Sequence, residues 1–199
     1  MVVGLTGGIG SGKTTIAALF DEFENVVIYN ADVEAKQLMN SSSAIKSKII
    51  EQFGEKSFLN NQLNNSYLAS LVFNNKRKLD ILTSIVHQEV KKHFQYFKNL
   101  HVKKEYIIYE NAILFESKSN LICDTIITVF IPLDVRIKRT MLRDHSSREE
   151  VEFRINNQCS ENSKHLQSNY IIHNNTKELT QSQVRRIHNI LTKKAAKFD

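Results

Sequence analysis

Glycine is scarce in this chain and unevenly placed: there are six, and five of them (Gly4, Gly7, Gly8, Gly10, Gly12) lie in the first twelve residues. Cysteine is rarer still. Cys123 and Cys159 have no metal-binding spacing, which excludes a zinc or disulfide framework and suits a reduced, cytoplasmic protein. Proline occurs once, at Pro132, directly after an apolar run that it ends. No stretch approaches the ~20 apolar residues of a membrane span. The N-terminus enters directly into a strand-like segment, so neither a signal peptide nor a membrane partner is expected.

With 199 residues and 41% apolar content, the chain is sized for one compact α/β domain with an inserted subdomain, and it can build a core. The glycine-rich opening, Gly7-Gly8-Ile9-Gly10-Ser11-Gly12-Lys13-Thr14-Thr15, fits G-x-x-x-x-G-K-[ST]. In such a loop the glycines let backbone N–H groups approach phosphate oxygens with no side chain in the way. Lys13 is placed to reach the β- and γ-phosphates, and the Thr14 hydroxyl to ligate Mg²⁺. The helix that starts here points its positive end at the anion. Val2-Val3-Gly4-Leu5-Thr6 reads as a buried strand, and Thr14 to Phe23 as a helix with Ile16, Leu19, Phe20 and Phe23 at helical spacing. A plain glycine turn has no use for Lys and Thr at these offsets.

Further along, Val26-Val27-Ile28-Tyr29 reads as a strand ending in Asn30-Ala31-Asp32. Ligands of open parallel sheets bind beyond the carboxyl ends of the strands. Asp32 could therefore accept a proton from a substrate hydroxyl or help hold a metal's waters; it could equally cap a helix beginning near Val33. From Val33 to about Leu100 the pattern is helical, with Leu79, Leu82, Val86, Val90, Phe94 and Phe97 in one stripe. Phe53-Gly54 looks like a helix stop and residues 60–65 like a polar turn, and no strand is needed. This insertion of roughly seventy residues is expected to form a substrate-side helical lobe. His87 lies near the apolar stripe.

Tyr106-Ile107-Ile108-Tyr109 is the next strand, with Glu110 at its end as a metal contact, substrate contact or loop anchor. Thr125 to Ile131 and Tyr170 to His173 are further strands, the last ending in Asn174-Asn175. Five strands alternating with helices imply a parallel three-layer sheet. After Pro132, Arg136, Arg139 and Arg143 share one helical face, followed by Arg148 and Arg154. They could clamp a γ-phosphate from a mobile cover, or form a solvated basic face partly neutralised by Glu149, Glu150 and Glu152. The final lysines, Lys193, Lys194 and Lys197, read as a frayed, solvated tail.

The net charge is +6, which attracts phosphate-rich substrates and nucleic acid alike. A guanine-specific switch would carry Asn-Lys-x-Asp and Asp-x-x-Gly, and neither is present. The arginines gather near the expected cover and are not interleaved with aromatics, so no nucleic-acid partner is expected.

Beyond the phosphate loop, the chain resembles the dephospho-coenzyme A kinase family over essentially its whole length. The matching segments are Leu5 to Thr15, Ala31-Asp32, Phe53-Gly54, Leu68 with Val72-Phe73, His87, and Leu114-Phe115-Glu116. Arg139-Thr140-Met141-Leu142-Arg143-Asp144 and Arg148 with Gln158 complete the set. The chain departs from the family pattern at Asn30, where an acid is usual, at Asn65 and Gln88, at Glu110 to Glu116, which lacks a proline, and at His173.

The resemblance implies transfer of the ATP γ-phosphate to the ribose 3′-hydroxyl of dephospho-CoA. It implies an α/β phosphate-loop NTPase fold with a five-stranded parallel sheet. The nucleotide-binding core would be 1–32, 101–140 and 165–199, the helical CoA-binding lobe 33–100 and the lid 141–164. Asp32 becomes the expected base, with Lys13, Arg139 and Arg143 as further catalytic residues. Gly8, Gly10, Ser11, Gly12, Lys13, Thr14, Thr15, Arg143, Arg148 and Asn174 are expected on ATP. Asp32, His87, Glu110, Leu114 and Glu116 are expected on dephospho-CoA, and Thr14 on Mg²⁺. The protein is expected to be a monomer or weak homo-oligomer.

Overall fold

The computed structural model describes residues 1–73 and 75–197. The chain begins with β1 (Val2–Gly7), α1 (Lys13–Asp21) and β2 (Val26–Asn30). It continues through α2 (Ala31–Ser41), α3 (Ser43–Phe53), β3 (Phe58–Leu59), β4 (Gln62–Leu63), α4 (Asn65–Val72) and α5 (Lys76–Leu100). Then come β5 (Tyr106–Glu110), β6 (Thr125–Phe130), α6 (Leu133–Asp144), α7 (Arg148–Asn156), α8 (Glu161–Leu166), β7 (Tyr170–His173) and α9 (Lys177–Ala195).

Two units result. The first comprises Met1–Asn30 and the chain from His101 onward; the second is Ala31–Leu100. The first holds a five-stranded parallel sheet in the order β2-β5-β1-β6-β7, the fold expected from the sequence. β1 is the central strand, with Val2 opposite Ile107 of β5 and Val3 opposite Thr125 of β6. All six of its residues are buried, as a strand covered on both faces requires. Val3, Leu5, Ile108, Ile127, Val129 and Ile172 from the sheet pack with Ile16 and Phe20 of α1 and Val184, Ile187 and Leu191 of α9. Gly7, Asn30 and Glu110 all stand at strand carboxyl ends.

The second unit has its own core of Ile45, Ile49, Phe53, Leu63, Leu68 and Ile85. It contains strands that the sequence did not lead one to expect. β3 and β4 form a short antiparallel hairpin, with Phe58 opposite Leu63. Its turn is Asn60-Asn61, both left-handed (φ 48° and 65°), which asparagine tolerates better than most residues. With so few residues between turns, no alternation was there to read. Asn64 then caps α4 by accepting from Tyr67 N–H at 3.2 Å. On α5 the buried stripe is Ile85, Val86, Val90 and Phe94, whereas Leu79 is exposed.

Two boundaries in the first unit also differ from the sequence reading. α6 is continuous from Leu133 to Asp144, so a division at residue 140 falls inside a helix. Lys193 and Lys194 belong to α9 and not to a frayed tail, and Lys194 Nζ donates to the Asp124 carbonyl at 3.2 Å. Among the described residues no helix is long and apolar enough to cross a membrane.

Candidate active site

The loop from Gly7 to Gly12 runs from the end of β1 into α1. Gly10 (φ 78°) and Gly12 (φ 88°) are left-handed, and space is short at both. A Cβ on Gly10 would lie 2.5 Å from the Arg136 carbonyl oxygen, and one on Gly12 2.3 Å from Asn174 Nδ2. Only glycine meets both demands. Ser11 N–H donates to Gly8 O at 3.0 Å, which tightens the turn. Lys13 Nζ donates to Gly7 O (3.1 Å) and Gly8 O (3.4 Å) and so lies across the loop.

A cleft of ≈ 620 Å³ opens here, lined by Gly10, Gly12, Lys13, Thr14, Thr15, Arg139, Arg143 and Asn174. The fold thus gathers eight residues that the sequence nominated. Arg139 and Arg143 come from one face of α6. Arg143 is oriented by a two-point contact with Asp144 (Nε to Oδ1 2.7 Å, Nη2 to Oδ2 3.1 Å), and Arg154 of α7 takes the same carboxylate at 2.6 Å. These hydrogen bonds, Arg143 first, hold the Asp144 carboxyl well below the usual carboxylate range. Asn174 follows β7, and its Nδ2 donates to Ser11 O at 2.8 Å, tying the far end of the sheet to the loop.

Glu110, buried at the end of β5, is not part of that lining but lies against Thr14. Its Oε1 accepts from Thr14 Oγ1 at 2.8 Å and its Oε2 from Asn30 Nδ2 at 2.8 Å. The amide at position 30, where the resembled pattern carries an acid, thus serves as a donor to this carboxylate. Thr14 and Glu110 offer hard oxygen donors of the kind Mg²⁺ takes. No group of three or more His, Cys, Asp or Glu able to hold a metal occurs among the described residues.

Other expected residues lie elsewhere. Leu114 is fully buried, and a Cβ on Gly4 would be 2.9 Å from its Cδ2, so it packs the sheet and cannot touch a ligand. Glu116 accepts from Cys159 N–H at 2.6 Å, and its other oxygen is buried, so it anchors backbone and not substrate. Arg148 pairs with Glu152 (2.7 Å) and Asp134 (3.6 Å) and is absent from the cleft lining. Arg136 leaves the expected clamp: it is buried against Gly8 and paired with Glu161 at 3.0 Å. Gly8 is covered by that pair, and Ser11 is fully buried with its N–H committed to the loop. Both residues shape the loop without lining the cleft. Asp32 is exposed in the first turn of α2, one position past the helix start, so it is not the cap residue of a helix beginning at Val33. His87 is half-buried on α5, and that burial pushes its pKa down.

Glu161, Gln158 and Lys164, all near Arg136 or the loop, were not legible as loop supports. They lie in a polar, charged segment with no periodicity to single them out.

A cradle of this kind serves many acceptors, so the comparison with known proteins decides what the chain is. The family model described as dephospho-CoA kinase matches residues 1–180. A dephospho-CoA kinase of Fusobacterium nucleatum is 35% identical over 179 residues, covering 88% of this chain and 90% of that protein. A crystal structure of a Thermus thermophilus protein superposes with a TM-score of 0.83 at 26% identity, covering 96% of each chain. A dephospho-CoA kinase from Campylobacter jejuni shares the fold, with a TM-score of 0.70 at 23% identity over 96% of this chain and 97% of its own. The match runs through the nucleotide cleft and through the inserted second unit alike, and on that ground the chain belongs to the dephospho-CoA kinase family, a family of ATP-dependent kinases.

Proposed function

We propose that this protein transfers the γ-phosphate of ATP to the ribose 3′-hydroxyl of dephospho-CoA, giving CoA and ADP. The observation that carries this is the family match across both units, joined to a cleft whose lining is built for a polyphosphate. The bond that forms is from the 3′-oxygen to Pγ; the bond that breaks joins Pγ to the β,γ-bridging oxygen; the hydroxyl proton goes to a base.

In this reading the amides of residues 10 and 12–15 and the Lys13 ammonium hold the phosphates, aided by the N-terminus of α1. Asn174 keeps the loop closed. Thr14 and Glu110 are the residues that would hold Mg²⁺. The chemistry Mg²⁺ supplies there is neutralisation of charge on the β- and γ-oxygens. Asp32 orients the 3′-hydroxyl and takes its proton. Arg139 and Arg143 offset charge that develops on the transferring group. The residues that follow α6, led by α7, serve as the lid, and the second unit as the acceptor-binding lobe, with His87 among its contacts. The two unpaired cysteines fit a reducing, cytoplasmic setting, and the working form is a monomer or a weak homo-oligomer.

The test is ADP release from Mg-ATP with dephospho-CoA as acceptor, run beside AMP, CMP and no acceptor. Release only with dephospho-CoA, with CoA as product, is the expected result. Release with AMP or CMP instead would retain the phosphate-loop chemistry and reject the acceptor.

A further inference from the structure

The phosphate loop has a second set of neighbours outside the cleft. Arg136 is 3% exposed, and its Nη1 donates to Glu161 Oε1 at 3.0 Å. The pair lies on Gly8: a Cβ there would sit 1.5 Å from Nη1 and 2.7 Å from Glu161 Oε1. One residue on, Ile9 N–H donates to Gln158 Oε1 at 3.0 Å. The next peptide after Gln158 is fixed in turn, Cys159 N–H donating to Glu116 Oε1 at 2.6 Å. Gly8 and Ile9 are therefore each held by a short chain of contacts, and each chain ends on a carboxylate, Glu161 for one and Glu116 for the other.

Lys164 of α8 lies within electrostatic reach of both. It is fully buried, and its ammonium makes no hydrogen bond. Burial pushes its pKa down, and the nearby Glu116 and Glu161 carboxylates oppose that shift while Arg136 adds to it. His165 approaches Glu161 from the same helix at 3.9 Å. Glu116 Oε2 and Glu161 Oε2 are buried without hydrogen-bond partners too. A buried charge is costly unless an opposite charge compensates it, and removing one partner leaves the other exposed to the full cost. With two carboxylates facing Arg136 and Lys164, the group is balanced only when the lysine is present.

We propose that Lys164 is a positioning residue for the phosphate loop. By offsetting Glu116 and Glu161 together, it holds both carboxylates on their anchors, and so fixes the Gly8–Ile9 turn from which the cleft-lining residues follow. It touches no nucleotide. Its effect reaches the cleft through Arg136 on Gly8 and through Gln158 on Ile9.

This rests on the nucleotide reading of the cleft, so the test is nucleotide binding without an acceptor. The fluorescent probe methylanthraniloyl-ADP is titrated into the full chain and its variants, with circular dichroism as the check on folding. Lys164→Met is expected to raise the Kd about tenfold, the scale on which a small misplacement of binding groups acts. The double variant Lys164→Met with Glu116→Gln is expected to recover most of that loss, because it removes one charge of each sign. A purely structural lysine would lower the melting temperature, leave the Kd of the folded protein unchanged and gain nothing from the second substitution; that outcome overturns the proposal. If Lys164→Met does not fold, Glu161→Gln carries the test: weaker probe binding supports the proposal, and unchanged binding overturns it. Failure of the unaltered protein to bind the probe would instead reject the nucleotide reading, and this proposal with it.

Discussion

The Thr14 hydroxyl donates to the Glu110 carboxylate at 2.8 Å across a sequence separation of 96 residues, joining the first turn of α1 to the end of β5. Asn30 occupies the other oxygen. Three strand or loop ends of the first unit therefore meet on one carboxylate. Glu110→Gln keeps the shape and removes the charge. It is expected to lower kcat about 10–100-fold and to raise the Mg²⁺ concentration needed for half-maximal rate. A Mg²⁺ titration at saturating ATP checks this, and an unchanged Mg²⁺ dependence would reject a metal-side role.

Lys13→Ala is expected to cost at least ~3 kcal/mol of transition-state stabilisation, about 10²–10³ in rate, on the scale of losing one preorganised donor. Asp32→Asn is expected to lower kcat far more than it changes KM for ATP. Steady-state kinetics with both substrates varied separates the two effects. The reverse pattern for Asp32 would make it a binding residue and not the base.

Gly10→Ala tests the loop geometry directly. The new methyl group would demand a left-handed backbone and would also meet the Arg136 carbonyl oxygen at 2.5 Å. Destabilisation of about 1–3 kcal/mol is expected, together with loss of nucleotide binding. Urea denaturation and an ADP titration measure the two; full stability would mean that the loop relaxes easily.

Asp144 holds Arg143 in the cleft, and its pKa lies so low that the pair stays charged throughout the working range. Asp144→Asn is expected to raise KM for ATP about threefold, the modest effect of a largely exposed pair. The ratio of variant to parent should be the same at about pH 6 and pH 9, since Asp144 does not titrate between them. A pH-dependent ratio would contradict the assignment.

His188 should give the protein an acid-sensitive stability. Its ring stacks on Phe23 with centroids 3.7 Å apart, and its Nδ1 shares a 2.7 Å hydrogen bond with the Tyr106 hydroxyl. Burial pushes its pKa down, opposed in part by Glu105. The unfolded chain therefore binds a proton at higher pH than the folded chain does. The contribution is fully present above the unfolded value of about 6.5 and is lost as pH falls through the folded one. Unfolding free energy measured from about pH 8 to 5 should fall less steeply in His188→Gln than in the parent; equal slopes would refute the prediction.

The phosphate-loop side of the cleft was legible because it is local. Gly10, Gly12, Lys13, Thr14 and Thr15 sit within one short segment whose offsets have a single physical use. The parallel strands were legible as continuous apolar runs such as Tyr106 to Tyr109. Residues whose meaning depends on distant partners were harder. Arg136 sits in register with Arg139 and Arg143, yet it turns inward because Glu161 and Gly8 receive it. Leu114 and Glu116 were nominated by resemblance, and the fold makes them packing and anchoring residues. The β3–β4 hairpin escaped notice because two strands of two residues carry too little pattern to outweigh the polar run between Phe58 and Leu63.

The second unit enters the chain after Asn30 and leaves it before Tyr106, at the ends of β2 and β5, which pair side by side. The whole of Ala31–Leu100 is thus a cassette spliced between neighbouring rungs of the sheet. Replacing it would alter no residue of the cleft lining, of the Thr14–Glu110 contact or of the Lys164 group. Exchanging that one continuous segment would leave every residue of the phosphate-loop cleft in place and would remove Asp32, the proposed base, with it.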